Sequence, residues 1–251
     1  MYIKDLAICL KAVEYSETSQ IITFFTRENG KISAIAKGSR RKKSNFESPL
    51  EPSSQGDIVF TDTRGKKLAT LSEFSQGMQL RNLAKDFLAY RSALFSAELL
   101  MSFTEEYDPH PGLYNQTIEL LKDISQNPAE RTFVLSRLIL FQLGLLKEVG
   151  LLPLLKKCAN CKADFGTSAF RQVYFSSWAN GFICIDCESS FPEKTKVSLR
   201  TARCFNDLQK LQSADIGWEV LKEMERILIK HLTYLHGKEF RTTRHLTRVW
   251  G

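Results

Sequence analysis

The sequence predicts an α+β chain in three parts: a small N-terminal barrel of five strands, a helical domain, and a four-cysteine module inserted into the helical domain. Three observations carry this. Short apolar and β-branched runs separated by turn residues fill the first 80 positions. Near residue 80 the apolar period lengthens to three or four. Later, Cys158-Ala-Asn-Cys161 is repeated as Cys184-Ile-Asp-Cys187 after 22 intervening residues.

The strands are predicted at Leu6–Val13, Gln20–Thr26, Lys31–Lys37, Asp57–Thr61 and Lys67–Phe74. Turn signals separate them: Glu28-Asn29-Gly30, Gly38-Ser39, Pro49 and Pro52, Gln55-Gly56-Asp57, and Arg64-Gly65. Five short strands in residues 1–80 suit a closed barrel, of which the OB-fold is the five-stranded example. An open five-stranded sheet is the alternative.

Beyond residue 80, Leu83, Phe87, Tyr90, Leu94 and Met101 recur at helical spacing and predict an amphipathic helix. Asp108-Pro109-His110-Pro111-Gly112 breaks it. A second helix runs from Leu113 to Ile124 and stops at Asn127-Pro128. Ala129 to Val149 is a third, nearly apolar in its second half, with Gly150 as its stop. A helix that apolar is expected to be buried on most sides. After Pro192 the chain turns helical again at Leu199–Leu211 and Gly217–His236, and these helices are expected to pack back on the middle ones. The expected division is 1–80 barrel, 81–157 first helical part, 158–193 cysteine module, 194–251 second helical part.

A Cys-x2-Cys turn aims two thiolates at one centre, and two such turns complete a tetrahedral shell of four sulfurs, which suits Zn2+. Cys158, Cys161, Cys184 and Cys187 are the predicted ligands of one zinc ion per chain, flanking a hairpin around Ala179-Asn180-Gly181. Two disulfides, or four unpaired core thiols, are the alternatives; two copies flanking a hairpin favour the metal. A closed four-thiolate shell leaves no position for water or substrate, so the predicted zinc is structural. Segments this short bury too little surface to fold alone, and the metal supplies the difference. Cys9 and Cys204 are expected to be buried apolar residues of a reducing compartment.

The formal charge is +7 and the pI is about 9.1. Residues 1–80 carry 12 basic and 9 acidic side chains, and residues 194–251 carry 12 and 6. Residues 81–157 balance at 9 and 9, and residues 158–193 carry 2 and 4. Positive charge therefore concentrates in the terminal segments and points to a polyanion, most simply nucleic acid. Its densest run lies directly after the third predicted strand: Lys37, Arg40, Arg41, Lys42 and Lys43 within seven positions. Such a cluster grips phosphate and does not specify sequence. Arg64, Lys66 and Lys67 on the next hairpin turn extend the track. Arg241 and Arg244 offer a second phosphate contact, although a capping segment with a solvated face fits them equally. A solvated loop is the alternative for residues 37–43. The barrel also offers Tyr2, Phe24, Phe25, Phe46, Phe60 and Phe74, of which one or two are expected outside for base stacking.

Nothing marks a catalytic centre. There is no G-x4-G-K-[ST], G-x-G-x-x-G, H-E-x-x-H or G-x-S-x-G. His231 lies on an apolar helix face and is expected to be a satisfied core histidine. Asp5 and Lys11 interrupt the early apolar stretch, so no signal peptide is read. The most apolar run, Leu138 to Leu146, is nine residues without a charge, far short of a membrane span. A cytoplasmic protein is expected.

Several blocks, in order, resemble the RecO family of bacterial recombination mediators. They are Tyr15-Ser16-Glu17-Thr18-Ser19, Thr26-Arg27-Glu28-Asn29-Gly30-Lys31, Ala36-Lys37-Gly38-Ser39-Arg40-Arg41 and Leu50-Glu51-Pro52. The late cysteine pairs and Phe240-Arg241-Thr242-Thr243-Arg244-His245-Leu246 complete the set. The resemblance implies an OB barrel, a helical domain and an inserted zinc module. It implies binding of single- and double-stranded DNA, annealing of complementary strands, and loading of RecA, with RecR, on strands coated by single-strand-binding protein. It also implies that the acidic C-terminal tail of that protein docks on the helical domain, where Arg131, Phe133 and Leu138 are the matching positions. No enzyme activity is expected. An RNA-binding or transcription-associated zinc-ribbon protein is the alternative from the residues, and a nuclease a third.

Overall fold

The computed structural model describes residues 2–41, 46, 50–61, 68–77, 83–165, 172–207, 211–212 and 216–244. The chain forms two compact units, Met1–Pro128 and Ala129–Gly251. The boundary falls inside the stretch read from sequence as one helical piece.

In the first unit, five strands close a barrel: β1 (Tyr2–Glu14), β2 (Gln20–Thr26), β3 (Gly30–Ala36), β4 (Gln55–Thr61) and β5 (Ala69–Gln76). The strand order is β1-β2-β3-β5-β4, with β4 returning to β1. Only the β3–β5 pairing is parallel. This is OB-fold topology, and it removes the open-sheet alternative. Closure depends on β1 serving two neighbours. Its first half pairs with β4, from Tyr2↔Thr61 to Ile8↔Gln55. Its second half pairs with β2, with a register shift between Cys9 and Lys11 that bends the strand. Alternation then sorts the side chains. Ala7, Cys9, Ile22, Phe24, Ile32, Ala34, Ile58 and Phe60 are fully buried in the barrel core.

Helices α1 (Phe87–Phe103) and α2 (Pro111–Gln126) complete this unit. Helix α1 starts later than its apolar period suggests, because Asp86 caps it: the carboxylate accepts the Ala89 N–H at 3.0 Å. Leu83–Lys85 forms a separate 3-10 turn. Helix α2 starts earlier, at Pro111, since proline lacks only an N–H that a first helical turn leaves unpaired anyway. Gly30 (φ +69°) shows why the β2–β3 turn takes glycine: a Cβ there would meet the Asp108 carbonyl oxygen at 2.3 Å.

The second unit is built on α3 (Arg131–Glu148), whose Val134, Leu135, Leu138, Ile139, Leu145 and Leu146 are fully buried. It ends at Gly150, where the Leu151 N–H donates to Leu146 O at 2.7 Å and the Gly150 N–H to Lys147 O at 3.2 Å. Strands β6 (Val173–Ser176), β7 (Gly181–Cys184) and β8 (Thr195–Val197) form a sheet of order β7-β6-β8. Helices α4 (Leu199–Asn206) and α5 (Trp218–His236) follow, with α5 packed on α3. Strand β8 lies beyond the end read for the cysteine module, so that sheet continues past residue 193. No helix among the described residues is long and apolar enough to cross a membrane.

Candidate metal centre and nucleic-acid interface

The four predicted ligands come together. Cys158 and Cys161 lie on a tight turn closed by the Lys162 N–H donating to Cys158 O at 3.0 Å. Cys184 ends β7, and Cys187 lies in the 3-10 turn Ile185–Ser190. The first turn is stitched along β7: the Leu154 N–H donates to Asn180 O, the Phe182 N–H to Leu154 O, and the Ala159 N–H to Phe182 O at 2.7 Å. That close approach requires glycine at 181, where a Cβ would meet Leu154 O at 2.5 Å.

All four sulfurs lie within 4.8 Å of one another, and Cys161 Sγ is 3.7 Å from Cys184 Sγ. A tetrahedron with metal–sulfur bonds of about 2.3 Å has sulfur–sulfur edges of about 3.8 Å, so the thiols fit a metal ion. A disulfide needs about 2.05 Å, and all six cysteines are free. The thiols are not alike, and burial pushes that of Cys184 up to about 12. Burial pushes the Cys158 thiol up, but backbone N–H groups of Cys184, Cys161 and Asn160 outweigh it and bring it down to about 7. The Cys184 N–H approaches Cys158 Sγ at 3.4 Å.

The module does not stand apart from its unit. Phe182 packs edge-on against Phe165 at 6.1 Å, Phe175 at 5.7 Å and Phe205 of α4 at 5.6 Å. Phe175 in turn meets His231 of α5 at 5.3 Å. The Glu193 carboxylate accepts the Ser177 N–H at 2.9 Å and pairs with Lys230 at 2.6 Å. His231 is a core residue as expected, with a hydrogen bond to the Leu151 backbone acting on its ring. Burial pushes its pKa down to about 4. Cys9 and Cys204 are buried as expected. Burial pushes the Cys9 thiol up to about 12, which makes it inert.

The basic run leaves β3 at the barrel rim. Lys37, Arg40 and Arg41 are exposed, while Ser39 between them is buried. The loop is held at both ends by one buried side chain that sequence reasoning missed, Gln20. Its Oε1 accepts the Ser39 hydroxyl and the Leu50 N–H, each at 3.1 Å, and its Nε2 donates to Leu50 O at 3.1 Å. A lone polar residue opening a strand carries no sequence signal of this role. The loop is also tied to the β1–β2 turn: the Arg40 N–H donates to Thr18 O at 3.1 Å, and Arg40 pairs with Glu14 at 2.8 Å. Lys42, Lys43, Arg64, Lys66 and Lys67 lie outside the described residues.

Arg241 and Arg244 are exposed in the second unit, with Arg244 3.4 Å from Glu239. Their segment is anchored by Phe240, buried and stacked on His236 at 5.1 Å. Arg131 is exposed at the start of α3 with its guanidinium over the Trp218 ring at 4.6 Å, and Arg137 covers Phe133 at 4.7 Å. Leu138 is fully buried in α3 and offers no surface to a partner.

Residues 1–76 match the family described as recombination protein O N terminal, and residues 84–244 match recombination protein O C terminal. DNA repair protein RecO of Bacillus velezensis is 30% identical over 256 residues, covering 99% of this chain and 95% of the relative. The protein of the same name from Bacillus subtilis is 30% identical over 242 residues, covering 96% and 90%. That of an Anaeromyxobacter species is 27% identical over 252 residues, covering 98% and 96%. With both halves matched in order over nearly its whole length, the chain belongs to the RecO family.

Proposed function

We propose that this protein is a non-catalytic DNA-binding mediator of recombination in DNA repair. The observation that carries the reading is the exposed Lys37, Arg40 and Arg41 on a loop pinned by Gln20 to the rim of a closed OB barrel. Cations fixed in this way neutralise phosphates without a large ordering cost. Lys42, Lys43, Arg64, Lys66 and Lys67 extend the same charge along the chain, and Arg241 and Arg244 supply a contact in the second unit. Neutralised strands repel each other less, so complementary single strands approach and pair without nucleotide hydrolysis. Family membership supports the same reading for the partners: RecR, the single-strand-binding protein through its acidic tail, and RecA through the strands it is loaded on. Of the three positions for that tail, Arg131 is exposed and Phe133 half-buried under Arg137. The protein acts in the cytoplasm, on the nucleoid.

The four thiolates hold one Zn2+ in this reading. A donor set of four thiolates at tetrahedral spacing favours zinc over hard cations. Bound there, zinc contributes folding energy and no chemistry.

The test is annealing of complementary strands coated with the cognate single-strand-binding protein, without ATP. Acceleration over the spontaneous rate is expected; none would overturn the reading. In competition, RNA displacing single-stranded DNA of equal sequence would favour the RNA-binding alternative.

A further inference from the structure

We propose that Tyr15 is the residue on which an unpaired base stacks, and that it gives the barrel rim its preference for single strands over duplex. This rests on the DNA-binding reading above and adds to it a ring outside the six aromatics that the sequence offered for stacking.

Most of the barrel aromatics are unavailable to a base. Phe24, Phe25 and Phe60 are fully buried, and Phe46 and Phe74 nearly so. Two tyrosines of the barrel chain lie outside, Tyr2 at 69% and Tyr15 at 63% exposed. Tyr2 opens β1, beside Thr61 at the end of β4. Tyr15 follows the other end of β1, on the turn that carries the basic loop.

The coupling between that turn and the loop is direct. The Tyr15 N–H donates to Ser19 O at 2.9 Å, closing the turn. Thr18 and Ser19 of the same turn accept the Arg40 N–H at 3.1 Å and the Gly38 N–H at 3.4 Å. Glu14, one residue before the ring, pairs with Arg40. The ring and the phosphate-gripping cations are thus parts of one hydrogen-bonded piece. Charge sorts what can meet the ring. Glu14 and Glu17 flank it and are exposed, so phosphate is disfavoured at the tip itself while the cations hold it alongside. Val13, near the end of β1, is exposed as well. An aromatic ring set next to a backbone-binding track is the arrangement that takes unpaired bases regardless of sequence. A duplex keeps its bases stacked and offers the ring nothing.

The experiment compares Tyr15→Ala and Tyr15→Phe with the unaltered protein on oligothymidine, on the same strand with abasic sites, and on duplex. Tyr15→Ala is expected to weaken oligothymidine binding about 5- to 150-fold, leave duplex binding unchanged, and make no difference on the abasic strand. Tyr15→Phe should restore binding, since the ring and not the hydroxyl stacks. Unchanged oligothymidine affinity, or an equal loss on duplex and abasic strand, overturns the proposal while leaving DNA binding intact. If the unaltered protein binds none of the three, the DNA-binding reading itself falls and takes this inference with it.

Discussion

Gln142 of α3 donates its Nε2 hydrogen to Glu225 Oε2 of α5 across 2.6 Å, with both side chains fully buried. The remaining oxygen of each, Gln142 Oε1 and Glu225 Oε1, has no partner among the described residues. Two acceptors stand there without a donor. A proton on Glu225 supplies one. Burial is also what pushes the Glu225 carboxyl up to about 8, against the lowering effect of the Gln142 bond.

The pH dependence of stability follows. Glu225 binds its proton more tightly folded than unfolded, so its contribution is fully present below about pH 4.5 and is lost as pH rises to about 8. His231, pushed down to about 4, contributes stability that is present above about pH 6.5 and is lost as pH falls toward 4. The two oppose each other between about pH 4.5 and 6.5, and Glu225 acts alone from about 6.5 to 8. Denaturant midpoints should therefore fall between pH 6.5 and 8, with a slope of at most about 1.4 kcal/mol per pH unit from this group. In Glu225→Gln, whose amide can pair with Gln142, that fall should disappear. A midpoint that falls equally in the variant would contradict the assignment.

The basic loop predicts a salt effect. Replacing Arg40, Arg41, Lys42 and Lys43 with alanine should weaken DNA binding at every sequence tested. It should lower the slope of log affinity against log salt by about 0.7 to 0.9 for each phosphate that is no longer neutralised, or roughly three units in all. Affinity at low salt equal to that of the unaltered protein would sink the placement of DNA on this loop.

The cysteine cluster predicts metal-dependent folding of the second unit. The sheet β7-β6-β8 is short, and its core of Ile183, Cys184 and Cys187 is small. Chelation, or Cys184→Ser, should expose Phe182 and its neighbours and release protection of amides in β6 and β7 to hydrogen exchange. Elemental analysis should find one zinc per chain. Amide protection unaltered by metal removal would mean that aromatic packing onto Phe205 and His231 suffices by itself.

Lys31 predicts a stability effect separable from binding. Its ammonium group, half-buried, donates to Met101 O at 2.8 Å and to Thr104 O, where helix α1 ends. Burial lowers its pKa, while Glu105 and Glu106 work the other way. Lys31→Met should cost about 1–3 kcal/mol, because both carbonyls lose their charged donor. Oligonucleotide binding should be unchanged in a filter assay at a temperature where the variant is folded. A variant as stable as the parent would show that solvent satisfies those carbonyls equally well.

Much of this protein was legible in one dimension because its periods are strong. Strand β3 alternates buried and half-buried residues along its whole length, and β2 nearly does. The cysteine spacing announced a four-sulfur centre because each Cys-x2-Cys turn is a local geometry that needs no help from distant residues. Element ends were read less well. The start of α1 is set by the Asp86 cap and that of α2 by the tolerance of a first turn for Pro111, and neither leaves a mark in the apolar period.

Spacing and charge along short stretches were enough to specify the five strands, the apolar spine of α3, the four sulfurs and the basic run. How those parts are held was settled only when the chain folded. Gln20 ties Ser39 and Leu50 together across the chain, Gln142 meets Glu225 between two helices, and Phe182 joins the cysteine module to α4. Folding also chose among equivalent aromatics, putting Phe24 and Phe60 inside and leaving Tyr15 at the rim, on the turn that holds Arg40. One cause underlies each case. Burial and hydrogen bonding between residues far apart in the chain depend on which faces meet, and a linear pattern carries the faces but not their meeting.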